Sequence, residues 1–129
     1  MSDEFQELLA EVMSHADHFG HREHLELTWL AVRRHGSSAA VELVSEGIQR
    51  TARYERVPRK YHATISRAWV ELVGHHVRER AQENDFAEFV ARNPALLDKR
   101  LINRFYHAST LASSHARSEW VEPDRTPFP

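Results

Sequence analysis

Two short stretches of this chain place imidazoles where chemistry could be done: Phe19-Gly20-His21-Arg22-Glu23-His24-Leu25 and Lys60-Tyr61-His62-Ala63-Thr64. The 129 residues hold ten histidines and no cysteine. A bound metal would therefore take imidazole, carboxylate or backbone ligands, and thiolate chemistry and disulfides are closed to the chain. On a helix, His21 and His24 are neighbours on one face, at about 5 to 6 Å between Cβ atoms. That spacing suits two rings converging on one ion, and His62, brought from a second helix, would supply the third ligand. Three imidazoles with an open coordination position form a catalytic pattern, compatible with a divalent transition metal such as Fe, Cu, Zn or Mn. First-turn positions favour it, because the positive end of a helix disfavours the protonated ring.

The leading expectation is a small metal-dependent enzyme, an oxygenase, hydrolase or lyase, acting on a small organic molecule. Tyr61 is a candidate proton donor, and Arg117 a candidate clamp for a substrate carboxylate. Thr28, Ser66 and Trp69 are the expected pocket residues, Trp69 lying one or two turns from His62 on the same face. Glu122 or Asp124 could complete a coordination sphere. The His-x-x-His run lacks the glutamate of the two-histidine metalloprotease motif, so that chemistry is not carried over. The same residues also support metal-free acid/base catalysis with His24 or His62 as base. A third reading is a non-enzymatic helical interaction module whose histidines are structural or sense pH.

Phe5, Leu8, Leu9, Val12 and Met13 recur at helical spacing and predict a first helix over about residues 3 to 15. A second is predicted from His21 to His35, closed by Gly36, with serine available to cap the next. A third carries Val41, Val44, Ile48 and Ala52 on one stripe. A fourth is predicted from about Arg59 to Gln82. On the second helix, Arg22, Glu23, Glu26, Arg33 and Arg34 share one side, and the opposite side is expected to be core. That side contains Leu25, Ala31 and Val32, yet its centre line is His21, His24, Thr28 and His35. The fourth helix places Ile65, Trp69, Leu72, Val73 and Val77 around His62 and His76. In an up-down bundle these two helices face each other, so His21, His24 and His62 would share a layer. His35 and His76 belong to the other end, where a helix C-terminus favours imidazolium without any function.

Asp85-Phe86-Ala87-Glu88 has the form of a capping box opening a short fifth helix. Two further short helices are expected over about residues 98 to 106 and 109 to 119, before an extended tail over residues 120–129 with three prolines. Four glycines and little alternation point to an all-α fold: one domain over residues 1–129, a compact bundle of four main helices with short C-terminal helices.

A formal net charge of −2 gives no electrostatic footprint for nucleic acid, and the basic stretch from Arg53 to Lys60 is expected to be a solvated connector. No run is long and apolar enough for a membrane span, and the acidic start Ser2-Asp3-Glu4 carries no secretion signal, so cytoplasm is the expected compartment. A homodimer is compatible with the amphipathic first helix, which can cover a neighbour as readily as its own core.

Phe19, His21, His24 and Leu25, then Lys60, Tyr61, His62 and Thr64, then Ala116, Arg117, Pro123 and Asp124 give the chain a pattern. It resembles an uncharacterised group of small bacterial helical proteins with Phe-x-His-x-x-His-Leu early, Lys-Tyr-His-x-Thr midway and Ala-Arg followed by Pro-Asp near the end. The resemblance covers most of the chain beyond the first helix. It implies that His21, His24 and His62 belong together, and it implies no activity. His107 departs from the pattern, which leads one to expect a small polar residue after the tyrosine.

Overall fold

The computed structural model describes residues 3–54, 61–79 and 84–129, and every regular element in them is helical. Four helices build the bundle: α1 (Glu4–Met13), α2 (His21–His35), α3 (Ser37–Tyr54) and α4 (Ala63–Glu79). They are followed by α5 (Phe86–Arg92), 3-10 turns at Pro94–Leu97 and Lys99–Arg104, and the short helices α6 (Ala108–Leu111) and α7 (Ser114–Ser118). The fold is the all-α bundle expected from the hydrophobic spacing. Most of the basic connector, including Pro58 and Lys60, lies outside the described residues, as does the expected end of α4 near Gln82.

Helix boundaries follow local capping chemistry. The Asp3 carboxylate accepts the Phe5 and Gln6 N–H groups at the start of α1, and Asp85 accepts the Glu88 N–H at 2.7 Å at the start of α5. Between α2 and α3 the expected division of labour, glycine as stop and serine as cap, is replaced by a single shared residue. Gly36 donates its N–H to the Val32 carbonyl and offers its own carbonyl to Ala40, which needs a backbone with φ of 83°. Ser37 is thereby released, and its hydroxyl accepts from Arg78 on α4 at 3.2 Å.

α2 is the central element, packed against α1, α3 and α4 and touching the 3-10 turn at Pro94–Leu97. Its expected core face is buried at Leu25, Ala31 and Val32, and Trp29 is a core aromatic, with Phe86 and Phe89 of α5 near its ring at centroid distances of 5.9 and 6.0 Å. Leu27, outside that face, is buried as well. His35 leaves the core altogether. It is exposed and lies 3.2 Å from Glu4 of α1.

The C-terminal region departs from two short α-helices in its details. Residues 99–104 tighten into a 3-10 turn, and the second expected helix is split into α6 and α7. The split occurs where the Ser113 hydroxyl accepts the Ala116 N–H at 3.1 Å and caps a new helix. Beyond Ser118 the chain is non-helical, as the prolines predict, but it is folded back over the body. Thr64 of α4 holds it from both sides, donating to the Glu119 carbonyl at 2.7 Å and accepting from the Val121 N–H at 3.1 Å. The fully buried Tyr106 donates its hydroxyl to the Val121 carbonyl at 2.7 Å. Burial, with the negative charges of Glu122 and Asp124, pushes that phenol up, so it remains a donor. The Arg67 guanidinium stacks on Trp120 at 4.3 Å, and Phe128 closes against Phe105.

α1 is seated by Phe5, which lies against the backbone of α3 at Gly47. A Cβ added there would overlap the Phe5 ring. The alanine variant gains helix propensity but must push out a buried aromatic, so Gly47→Ala is expected to lose about 1 to 2 kcal/mol of stability. Urea denaturation reads the loss. A variant as stable as wild type would show that α1 is not seated by this contact.

Candidate functional site

The site is assembled at the first turns of α2 and α4. α2 begins at Gly20, whose N–H is accepted by the Glu23 carboxylate at 2.9 Å. Phe19, one residue before this cap, meets His24 edge-on with centroids 6.2 Å apart. These are the positions of a hydrophobic staple, and they explain why the motif spaces Phe19 and His24 as it does. α4 begins at His62, whose carbonyl accepts the Ser66 N–H at 2.9 Å and whose Nδ1 accepts the Ile65 N–H at 3.1 Å. His62 is an imidazole N-cap.

A cavity of about 780 Å³ lies between these turns. α1 contributes Phe5, Leu9 and Met13 to its wall, α3 contributes Ile48 and Thr51, and α4 contributes Ile65, Ser66 and Trp69. His21, His24 and His62 all line it, so the three expected histidines do meet around one space. The wall is mainly apolar, the usual character of a small-molecule pocket.

The three rings differ in what they can offer. His21 Nε2 donates to the Leu96 carbonyl at 2.8 Å, which leaves Nδ1 as its unprotonated nitrogen, and its ring packs edge-on against Trp69 at 4.7 Å. Burial is the largest influence on His21 and lowers its pKa. The Leu96 carbonyl and Asp98 oppose that shift, and Lys99 reinforces it. His62 donates Nε2–H to the Leu111 carbonyl at 2.7 Å while Nδ1 is occupied by Ile65, so both nitrogens are engaged by backbone. In this geometry His62 has no lone pair for a ligand in the cavity, because a ring nitrogen has only one to give. The His24 ring has no hydrogen-bond partner among the described residues, and Phe19 is its ring contact. Burial first, and the neighbouring His21 second, depress its pKa to about 4, so it is neutral at pH 7.

The remaining expected residues divide in the same way. Ser66 and Trp69 line the cavity, Ser66 with its hydroxyl 3.4 Å from that of Ser45. Thr28 is fully buried and donates to the His24 carbonyl at 2.8 Å, which makes it a helix-internal group outside the wall. Tyr61 and Arg117 do not line the cavity, Tyr61 being half-buried and Arg117 exposed on α7. Asp124 accepts the His107 N–H at 2.9 Å and the Thr110 hydroxyl, and Glu122 accepts from the Trp120 indole at 3.0 Å. Both carboxylates thus hold the tail. Lys99 and Ile102, from the 3-10 turn, line the cavity without having been expected. Their signal was weak, since an isolated lysine after Asp98 looks like any solvated residue. Among the described residues no three histidine or carboxylate side chains are gathered closely enough to hold a metal ion, and no helix is long and apolar enough to cross a membrane.

No family model, no curated protein and no solved structure matches the chain.

The cap at His62 makes a testable demand on stability. His62→Ala removes a cap and strands the Leu111 carbonyl, so a loss of about 2 kcal/mol is expected in urea denaturation. His62→Asn keeps a capping oxygen and should recover about half of it. Equal losses in the two variants would show that capping is not the ring's contribution.

His24 sets a pH dependence. Its folded pKa, about 4, lies below the ordinary 6.5. The unfolded chain therefore binds the proton more readily, and stability rises with pH through this window. The contribution is complete above about pH 6.5 and is lost as pH falls toward 4, with a ceiling on the order of 3 kcal/mol. Thermal denaturation from pH 8 to 4 should show the decline, flattened in His24→Gln. Carboxylates held low by their partners, Asp3, Asp98 and Asp124, lose their contribution only below that range. An unchanged profile in the glutamine variant would mean that His24 is not buried neutral.

Proposed function

We propose that this chain is a small enzyme that binds a largely apolar organic molecule in the cavity between α1, α2, α3 and α4, with His24 as the group that exchanges a proton with it. The observation that carries this reading is an imidazole held neutral, without a protein partner among the described residues, in the wall of a large apolar cavity. The ring faces the cavity, where a ligand can hydrogen-bond it. His21 backs it as a second neutral ring, oriented by Leu96. A low pKa makes His24 a weak base in the free protein, and an anionic group on the ligand would raise it toward the working pH.

A second reading is favoured by the His21–Leu96 bond. Metal-bound histidines commonly donate their other ring N–H to a backbone carbonyl, and His21 does so at 2.8 Å, leaving Nδ1 for an ion that His24 could share. Small ligands or the substrate would complete a divalent transition-metal site, with His62 outside it.

The two readings separate in one experiment on chelator-free protein: elemental mass spectrometry alongside thermal denaturation with a small-molecule library, for wild type, His24→Gln and His21→Gln. The acid/base reading expects no stoichiometric metal and ligand-induced stabilisation that is reduced about tenfold in apparent affinity by His24→Gln. Stoichiometric metal lost in both variants would replace it with the metal reading. Neither metal nor any stabilising ligand would overturn both.

A further inference from the structure

We infer that the cavity takes a single-chain aliphatic monocarboxylate, its carboxylate at Lys99 and its chain along the apolar wall; this rests on the cavity being a ligand site. Lys99 is the one formally charged side chain among the described residues lining it, and no carboxylate is among them. The negative groups near the mouth are already engaged. Asp98 is held by Arg100, whose backbone N–H lies 2.9 Å and whose Nε lies 3.2 Å from the same carboxylate oxygen, and Glu23 is held by the Gly20 N–H. Lys99 forms no ion pair or hydrogen bond with another described residue through its ammonium, which leaves that group to a ligand. Its field reaches His21, which places the charge beside the first turn of α2.

Charge type and charge number follow from these contacts. A cationic ligand would be repelled by Lys99, and no carboxylate among the described lining residues offsets that repulsion. A phosphate dianion would need more than one lysine, and the positive end of α2, the usual second donor, is already neutralised by Glu23 at Gly20. Among the described residues no arginine fork lines the cavity either. A monoanion matches one ammonium. The rest of the wall is mainly apolar, with aliphatic Leu9, Met13, Ile48 and Ile65 beside the rings of Phe5, Phe19 and Trp69, and the volume of about 780 Å³ is ample for a chain on the order of ten carbons. His21 Nδ1 and His24 are acceptors at neutral pH. They suit a polar hydrogen on such a chain better than a second carboxylate.

Isothermal titration with decanoate, decanol and decyltrimethylammonium on wild type, Lys99→Gln and Lys99→Arg tests this. Decanoate should bind wild type about 3- to 10-fold more tightly than decanol, and the ammonium compound most weakly. Lys99→Gln should erase the advantage without weakening decanol, Lys99→Arg should retain it, and 1 M salt should reduce it. From hexanoate to decanoate, affinity should rise about 4-fold per methylene. Lys99 is exposed, so neither variant threatens the fold. Decanol binding as tightly as decanoate, or an advantage that survives Lys99→Gln, would overturn the carboxylate assignment and leave the cavity as a ligand site. Failure of all three probes to bind would overturn the assignment, and the library screen would then decide separately whether the cavity is a ligand site.

Discussion

Everything near the cavity depends on the burial of α2 on more than one face. A helix flanked by α1, α3 and α4, and covered by α5 at Trp29, has few directions left in which a polar side chain can reach water. Each polar residue facing inward must find a partner or a void. Thr28 turns to its own helix, His21 reaches the Leu96 carbonyl, and His24 borders the cavity. The low pKa of His24 follows from desolvation of its ring by the packing around it, with the neighbouring His21 adding to the shift.

The C-terminal third exists largely to meet those demands. Leu96 and Leu111, from the 3-10 turn and α6, bring carbonyls to His21 and His62. The tail is in turn held by Thr64 and Tyr106, and Asp124 fixes the start of α6. The residues of the midway and C-terminal motifs therefore do much of their work as fasteners. His62 caps α4, Thr64 clamps the tail and Asp124 receives backbone and hydroxyl hydrogens. Of the motif histidines only His21 and His24 keep nitrogens for a ligand, and this is why the acid/base reading needs fewer rearrangements than a three-imidazole centre.

Helix positions were legible because apolar spacing and capping residues are local properties. Asp3, Asp85 and the stripe of Leu8 and Val12 act over one or two turns. The wheel of α2 identified its polar centre line for the same reason. It left Leu27 off the core face although that residue is buried, and the α5 aromatics that flank Trp29 come more than fifty residues later. Arg117 and Tyr61 looked like catalytic groups from type and position alone, and their placement away from the cavity depends on where α7 and the start of α4 pack.

By itself the sequence determined the all-α class and the main helices, since hydrophobic periodicity carries that information, and it put His21, His24 and His62 at helix starts, from which all three border one cavity. Tertiary structure alone decided what each ring could offer. The partners that occupy His21 and His62 are backbone carbonyls, 75 and 49 residues away, and any residue type can supply a carbonyl. The entry of Lys99 into the wall was equally unreadable, because it depends on how a 3-10 turn docks against α4. Side-chain chemistry is written in the sequence, but which lone pairs remain free is settled only by the backbone that folds against them.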